Sequence, residues 1–271
     1  LDLNLVDRIT VLKGPSSSIH GAALGGTILY RMGPPSNQGV TASQEMKTGS
    51  YQMLQNATQL TWKGKRTSMR LAYDKHKEQG FRQNDDYNRD ALTTMLHHQI
   101  SPDVGVTYLG RYHRLKAYIP SSLNQETFSH SPSQAADNWN AVNGHESYRK
   151  MLHGLSFDVD FSNALRNETS LFLKSYDGDE IRPFNILDDQ TLTTGMRSLF
   201  EWNRKLGQIR LTAEAGYELF HESYQWQIYE TLDEGDWGGL LHENRQQRIQ
   251  HNLFPPCRSS GTTWASAPGQ T

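Results

Sequence analysis

The residues most able to carry chemistry occur in pairs or alone. His97-His98 offers two imidazoles, Asp85-Asp86 and Asp188-Asp189 offer paired carboxylates, and Cys257 is the single thiol. A metal site needs several ligands converging on one point. His97 and His98 lie inside an alternating run, so their rings point to opposite faces and do not chelate one ion. The two Asp pairs fall in polar stretches, where solvated loop acids are the ordinary reading and a calcium or substrate contact is the sharper one. Gly25-Gly26 is followed by no helical pattern, so it is not a dinucleotide fingerprint. No ordered Ser, His and Asp set, phosphate loop or zinc spacing emerges, and Cys257 has no second thiol to bridge. The expectation is a protein that binds, with no enzyme activity, no metal and no cofactor.

From about Val40 the chain repeats one habit: stretches of about ten residues with alternating polarity, bounded by turn residues. Leu155, Phe157, Val159 and Phe161 oppose Ser156, Asp158, Asp160 and Ser162. Ile209, Leu211, Ala213, Ala215, Tyr217 and Leu219 oppose Arg210, Thr212, Glu214, Gly216 and Glu218. Thr67, Met69, Leu71 and Tyr73 do the same on one run, and Val104, Val106, Tyr108 and Tyr112 on another. Such strands have one apolar and one polar face. Tight connections at Lys63–Lys65, Ser101–Asp103, Ser162–Leu165 and Arg204–Gly207 alternate with long polar ones near Gly80–Asn88, Ala117–Ser147, Asp179–Gln190 and Tyr224–Asn244. Membrane barrels sort their loops this way, with short turns on one rim and long loops on the other. Aromatics such as Trp62, Tyr73, Tyr112, Tyr148, Tyr176, Trp202 and Tyr224 gather towards strand ends, where an interface would lie.

Composition agrees. Only 35% of the 271 residues are hydrophobic, and the mean hydropathy is -0.71. That is thin for a packed soluble core. The aromatic share of 10%, with 12 Tyr and 6 Trp, argues against a disordered chain. With 27 basic and 29 acidic residues the net charge is -2, which gives no footprint for nucleic acid. No run approaches the ~20 apolar residues of a membrane helix, a test to which β-strands are blind.

The opening segment differs. Val6-Asp7-Arg8-Ile9-Thr10-Val11-Leu12-Lys13-Gly14-Pro15 runs through a small-residue turn with His20-Gly21 to Gly25-Gly26-Thr27-Ile28. It closely resembles the last part of the plug domain of TonB-dependent outer-membrane receptors. There an Ile-Glu-Arg-Ile-Glu-Val-Leu-Lys-Gly-Pro-like run leads to a Tyr-Gly turn, then Gly-Gly-hydrophobic-Ile-Asn, then the first barrel strand. Arg8, Lys13, Gly14, Pro15, Gly21, Gly25 and Gly26 carry the match. His20 replaces the usual Tyr and Leu29 the usual Asn, which marks a divergent member. Leu115–Asn124 is also similar to a barrel segment of ferric-citrate-type receptors.

The resemblance implies an all-β fold: a partial, open antiparallel transmembrane barrel of about ten strands, preceded by the C-terminal piece of a plug. Residues 1–37 are expected to be plug and 38–254 barrel. Residues 255–271, opening at Pro255-Pro256-Cys257, are expected to be an atypical tail, disordered or out of frame. A plugged transporter barrel needs about 22 strands, and Leu1 follows neither an initiator Met nor a leader, so the expectation is an incomplete piece. The implied location is the outer membrane of a Gram-negative bacterium. The implied partners are outer-membrane lipid, the TonB complex and a ferric siderophore or similar iron chelate. Ligand contacts are expected from Arg82, Tyr87, Arg89, Tyr118, Asn138, Trp139, Tyr148, Arg182 and Trp226, where Arg pairs with carboxylates and the rings give flat contact. Alternatives are a cobalamin or glycan receptor and, from another class, a soluble carbohydrate-binding β-sandwich.

Overall fold

The computed structural model describes residues 5–14, 25–33, 35, 37–206 and 209–261. Strands β1 (Arg8–Lys13) and β2 (Gly26–Arg31) form a two-stranded antiparallel sheet. Gly26 closes it at φ 133°, where a Cβ would strike the Leu12 carbonyl oxygen, so glycine is required. Pro15 and Gly21, two of the residues that carry the resemblance, lie outside the described residues.

The other ten strands are β3 (Gly39–Thr48), β4 (Leu54–Lys63), β5 (Thr67–Glu78), β6 (Tyr87–Ser101), β7 (Val104–Tyr118), β8 (His145–Ser162), β9 (Leu165–Ile181), β10 (Ile186–Leu206), β11 (Ile209–Thr231) and β12 (Trp237–Gly261). They form one sheet in chain order, each strand antiparallel to the next, with β3 and β12 at its edges. The expectation of about ten strands in an open sheet holds, and the two stacked sheets of a sandwich are absent from the described residues. β12 continues past Phe254 to Gly261, so the strand enters the segment read from sequence as tail.

The register is staggered. Thr67 pairs with His98 and β6 runs on to Ser101 before turning. Val104 pairs with Val159 and β8 runs on to Ser162, and Leu165 pairs with Trp202 while β10 runs on to Leu206. A stagger of constant sense is what tilts strands around a barrel axis.

Burial is inverted relative to a soluble sheet. Ser68, Asp74, Thr93, Thr193 and Glu218 are buried, whereas Leu92, Leu96, Leu171, Leu192, Ile249 and Leu253 are exposed. Cross-strand pairs fix which face each belongs to. Val40, Trp62, Met69, Leu96, Tyr108, Leu155, Leu171, Met196, Leu219 and His251 pair in succession across all ten strands, one face of one row. The opposite face carries Arg70, and there it meets the β1–β2 segment: Nη2 donates to Asp7 Oδ1 at 3.0 Å and Nη1 to the Leu5 carbonyl at 3.5 Å. The polar face is therefore the inner, concave one, and the plug-like piece lies against it.

One expectation fails. Asp179–Gln190 and Tyr224–Asn244 were expected to be long loops, yet β9 and β10 are joined by Arg182–Asn185 alone and β11 and β12 by Leu232–Asp236. Asp188 and Asp189 sit in β10, on opposite faces, rather than in a loop. The backbone ladders continue through both segments although the alternation that marks a strand in sequence is lost there. The long connection is 119–144, which carries helices α1 (Gln125–His130) and α2 (Asp137–Ala141).

Candidate functional site

Parity and register together assemble the site. In the upper part of the concave wall one row reads Gln55, His76, Arg89, Leu115, Tyr148, Gly178, Asp189, Trp226 and Asn244 from β4 to β12. The row beneath reads Ala57, Asp74, Ala91, His113, Lys150, Tyr176, Thr191, Tyr224 and Gln246. Of the ligand residues expected from sequence, Arg89, Tyr148 and Trp226 thus share one row, and Tyr87 stands beside it with its ring 5.1 Å from that of His76.

Tyr148 is the centre of this wall. Its ring lies 5.5 Å from His113 and 5.6 Å from Tyr176. Lys150 Nζ stands 3.8 Å from the Tyr148 centroid and 4.9 Å from that of Tyr176. Among the described residues neither Lys150 nor Arg111, one row below, has an ion pair, whereas Arg89 is joined to the buried Asp74. Burial pushes the Tyr148 hydroxyl pKa up, so the phenol stays a neutral donor. Burial also raises the Asp189 carboxyl, with the Tyr176 and Tyr224 hydroxyls pulling the other way. The wall is therefore aromatic and polar, with cations at its middle. It suits a flat or bulky anion.

The remaining candidates belong to a different layer. Arg82 donates from Nε to the Gln134 carbonyl at 3.0 Å and from Nη2 to that of Pro120 at 3.2 Å, with a further bond from Nη1 to Ser121. Asn84 Nδ2 donates to the Ile119 and Gly144 carbonyls, both at 2.9 Å. Trp139 sits half-buried with its ring 6.5 Å from Phe184. Arg182 is paired with Glu180 at 2.7 Å, and its carbonyl accepts the Thr231 hydroxyl at 2.7 Å. Tyr118 packs 5.2 Å from His145, and burial lowers the pKa of that imidazole. Asn138 is exposed on α2. Apart from Asn138, these side chains tie loops and strand ends to one another instead of lining the wall. The wall residues that sequence reading did not choose as ligand contacts, His113, Lys150, Tyr176 and Tyr224, all sit in strands, as does Asp189, which was read as a loop acid able to touch calcium or substrate. Only the register reveals that they are neighbours.

His97 and His98 do point to opposite faces: His97 Nδ1 lies 3.0 Å from the Thr107 hydroxyl and His98 Nδ1 lies 2.8 Å from that of Thr67. Among the described residues no group of three His, Cys, Asp or Glu could hold a metal.

No family model and no curated sequence matches the chain. Solved structures do. The ferric citrate transporter FecA in its unliganded form superposes at a TM-score of 0.78 with 15% identity, over 93% of this chain and 40% of that one. The ferripyoverdine receptor of Pseudomonas aeruginosa gives 0.76 with 11% identity, over 92% and 39%. The ferric-catecholate import receptor Fiu of E. coli K12 gives 0.68 with 13% identity, over 92% and 47%. These neighbours are transport receptors, not enzymes. The chain has the fold of a TonB-dependent receptor barrel and spans less than half the length of the receptors it resembles.

Proposed function

We propose that this chain is part of an outer-membrane receptor that takes up an anionic ferric chelate, with energy supplied through TonB. In this reading residues 1–37 are the end of the plug and the sheet that follows is the first part of the barrel. The observation that carries it is the inverted sheet: an outward row that is apolar or aromatic on nine of the ten strands, with His251 on the tenth, and a cationic, aromatic wall inward. A β-strand of about 9–11 tilted residues crosses the hydrocarbon layer. On β10 the outward face is non-ionic from Trp202 to Leu192, and on β8 it is largely apolar from Phe161 to Met151. The structures it resembles are receptors or transporters of iron chelates, which supports the iron reading at the level of fold.

Among transport readings, the unpaired Lys150 and Arg111 favour an anionic chelate over neutral cobalamin or glycan. The test is direct. The receptor carrying this chain, purified in detergent, is titrated with ferric citrate, a neutral ferric hydroxamate and cobalamin while tryptophan fluorescence is followed. Saturable quenching by ferric citrate, weakened by salt, is the expected result. Saturable binding of cobalamin with none of either ferric chelate overturns the iron reading, and a protein that stays monodisperse without detergent overturns the membrane reading.

A further inference from the structure

The connections at the upper rim, 49–53, 79–86, 119–144, 182–185 and 232–236, are joined in series. The Gln79 N–H donates to the Tyr51 carbonyl at 2.9 Å, and the Tyr51 and Phe81 rings meet edge to face at 5.8 Å. The Gln83 N–H donates to the Ser133 carbonyl at 2.8 Å, beside the carbonyls of 119–144 that Arg82 and Asn84 hold. Within 119–144 the Ile119 N–H closes on the Gly144 carbonyl at 2.8 Å, and Ala135 is buried. Trp139 then meets Phe184, and Gly235, at φ 86°, brings the 232–236 turn so close to the Val142 carbonyl oxygen that a Cβ would not fit. Backbone strain falls in the same place. Among the described residues the non-glycine positions at positive φ are Tyr51, Gln52, Asn84, Ser121, Asn143 and Glu234, and every one lies in these connections. Such a conformation is uncommon outside glycine and persists where its surroundings over-determine it.

We propose that these connections form one preassembled body, with 119–144 as its brace, and that a ligand reaches the wall without any of them closing over it. The rigidity follows from the bonds just described, and the role given to it rests on the receptor reading. Arg82 is the knot. Its planar guanidinium places donors on the Gln134, Pro120 and Ser121 carbonyls at once, a fork that a lysine ammonium does not reproduce. Asn84 is the second tie, its amide shared between the Ile119 and Gly144 carbonyls at the two ends of the brace. A lid that swings must trade its partners between two positions. Movement of 119–144 would break its ties to 79–86, 182–185 and 232–236 together, and would release the backbone of Asn84, Ser121 and Asn143 from the contacts that hold it.

Amide hydrogen exchange of the receptor carrying this chain, purified in detergent, is followed with and without saturating ferric citrate. Without it, the Gln83, Ile119, Ala136 and Gly144 amides, all bonded across or within these connections, should exchange roughly a hundredfold or more slower than free chain. Ferric citrate should leave those rates unchanged. Arg82→Lys and Asn84→Asp should each speed exchange on the order of tenfold in 79–86 and in 119–144 alike. Asn84→Asp turns a donor into an acceptor facing two carbonyls with no change of size. Asn84→Gly suits the same backbone conformation, loses only the bonds, and should have the smaller effect. Lys65→Gln, at the opposite rim, should change neither segment. Free-chain exchange in the wild type overturns the proposal, as does protection that arises only with ferric citrate, which marks a closing lid. Loosening confined to 79–86 in the Arg82 and Asn84 variants also overturns it, because the connections would then not be one body. A receptor that binds no ferric citrate removes the iron reading, while exchange without ligand still decides the brace.

Discussion

The Lys150 ammonium, 3.8 Å from one phenol centroid and 4.9 Å from another and in no ion pair among the described residues, holds its charge available for a ligand. Cation–π contact of this kind contributes about 0.5–2 kcal/mol, more when water is excluded, and it fixes Lys150 rather than neutralising it. Lys150→Met should therefore weaken an anionic chelate about five- to thirtyfold, on the scale of 1.4 kcal/mol per decade, and leave a neutral ligand of the same size unaffected. Fluorescence titration at low and high salt reads both, and a variant equally weakened for the neutral ligand would show that Lys150 only shapes the wall. Asp188, on the outward face opposite Asp179, makes a prediction in pH. Burial and then the charges of Asp177, Asp179 and Asp189 raise its pKa. A carboxyl whose folded pKa lies above its unfolded value of about 3.9 stabilises the fold below that value and loses the contribution as pH rises through the folded one. The upper β9–β10 hairpin should accordingly exchange its amides more slowly in mild acid than at neutral pH, after correction for intrinsic rates. Asp188→Asn should slow exchange at neutral pH and flatten the profile.

At the scale of the strand, the outward faces were legible because successive side chains point to opposite faces and alternate in polarity. Leu155, Phe157, Val159 and Phe161 were assigned to one face from spacing alone, and they share it in the structure. Tyr148, Tyr176 and Tyr224 were grouped with the interface aromatics but belong to the concave wall, because their parity puts them inward while their position along the strand imitates an interface. The hairpin ends near Asp179–Gln190 and Tyr224–Asn244 were illegible because the strand ladders persist there after the alternation has lapsed. The wall itself needed register, which no single strand encodes. Glycine marks another such relation. Gly195 faces inward on β10 between the Phe172 and Phe220 rings, whose centroids are 5.4 Å apart, and a Cβ there would stand 2.5 Å from Phe172 Cζ and 2.7 Å from the Leu219 carbonyl oxygen. The two rings meet because nothing stands between them. Gly195→Val should push them apart and destabilise the folded receptor by roughly 1–3 kcal/mol, the usual cost of overpacking. Denaturant titration in detergent measures it, and a neutral effect would mean the rings shift freely.

For the molecule as a whole, the sheet described here has two unpaired edges. All ten residues of β3 are exposed, and β12 forms the other edge. An edge strand presents a row of free N–H and C=O groups, which in water or lipid seeks a partner, and closure alone removes it. The stagger of the register tilts the strands as a closed barrel requires, so on the proposed reading each edge needs a partner and not a change of geometry. The 271-residue chain on its own in detergent should consequently pair edge to edge between molecules. With Cys257→Ser removing the native thiol, Ser43→Cys on β3 and Gln250→Cys on β12 report the pairing, because oxidation should link one chain's first edge to another's last. Disulfide-linked oligomers are expected from this chain and, on the proposed reading, none from a complete receptor, whose closed barrel would set a strand beside each position. A monomer with an intramolecular disulfide would instead mean that ten strands close into a small barrel of their own, leaving too little room within for the β1–β2 segment that Arg70 holds.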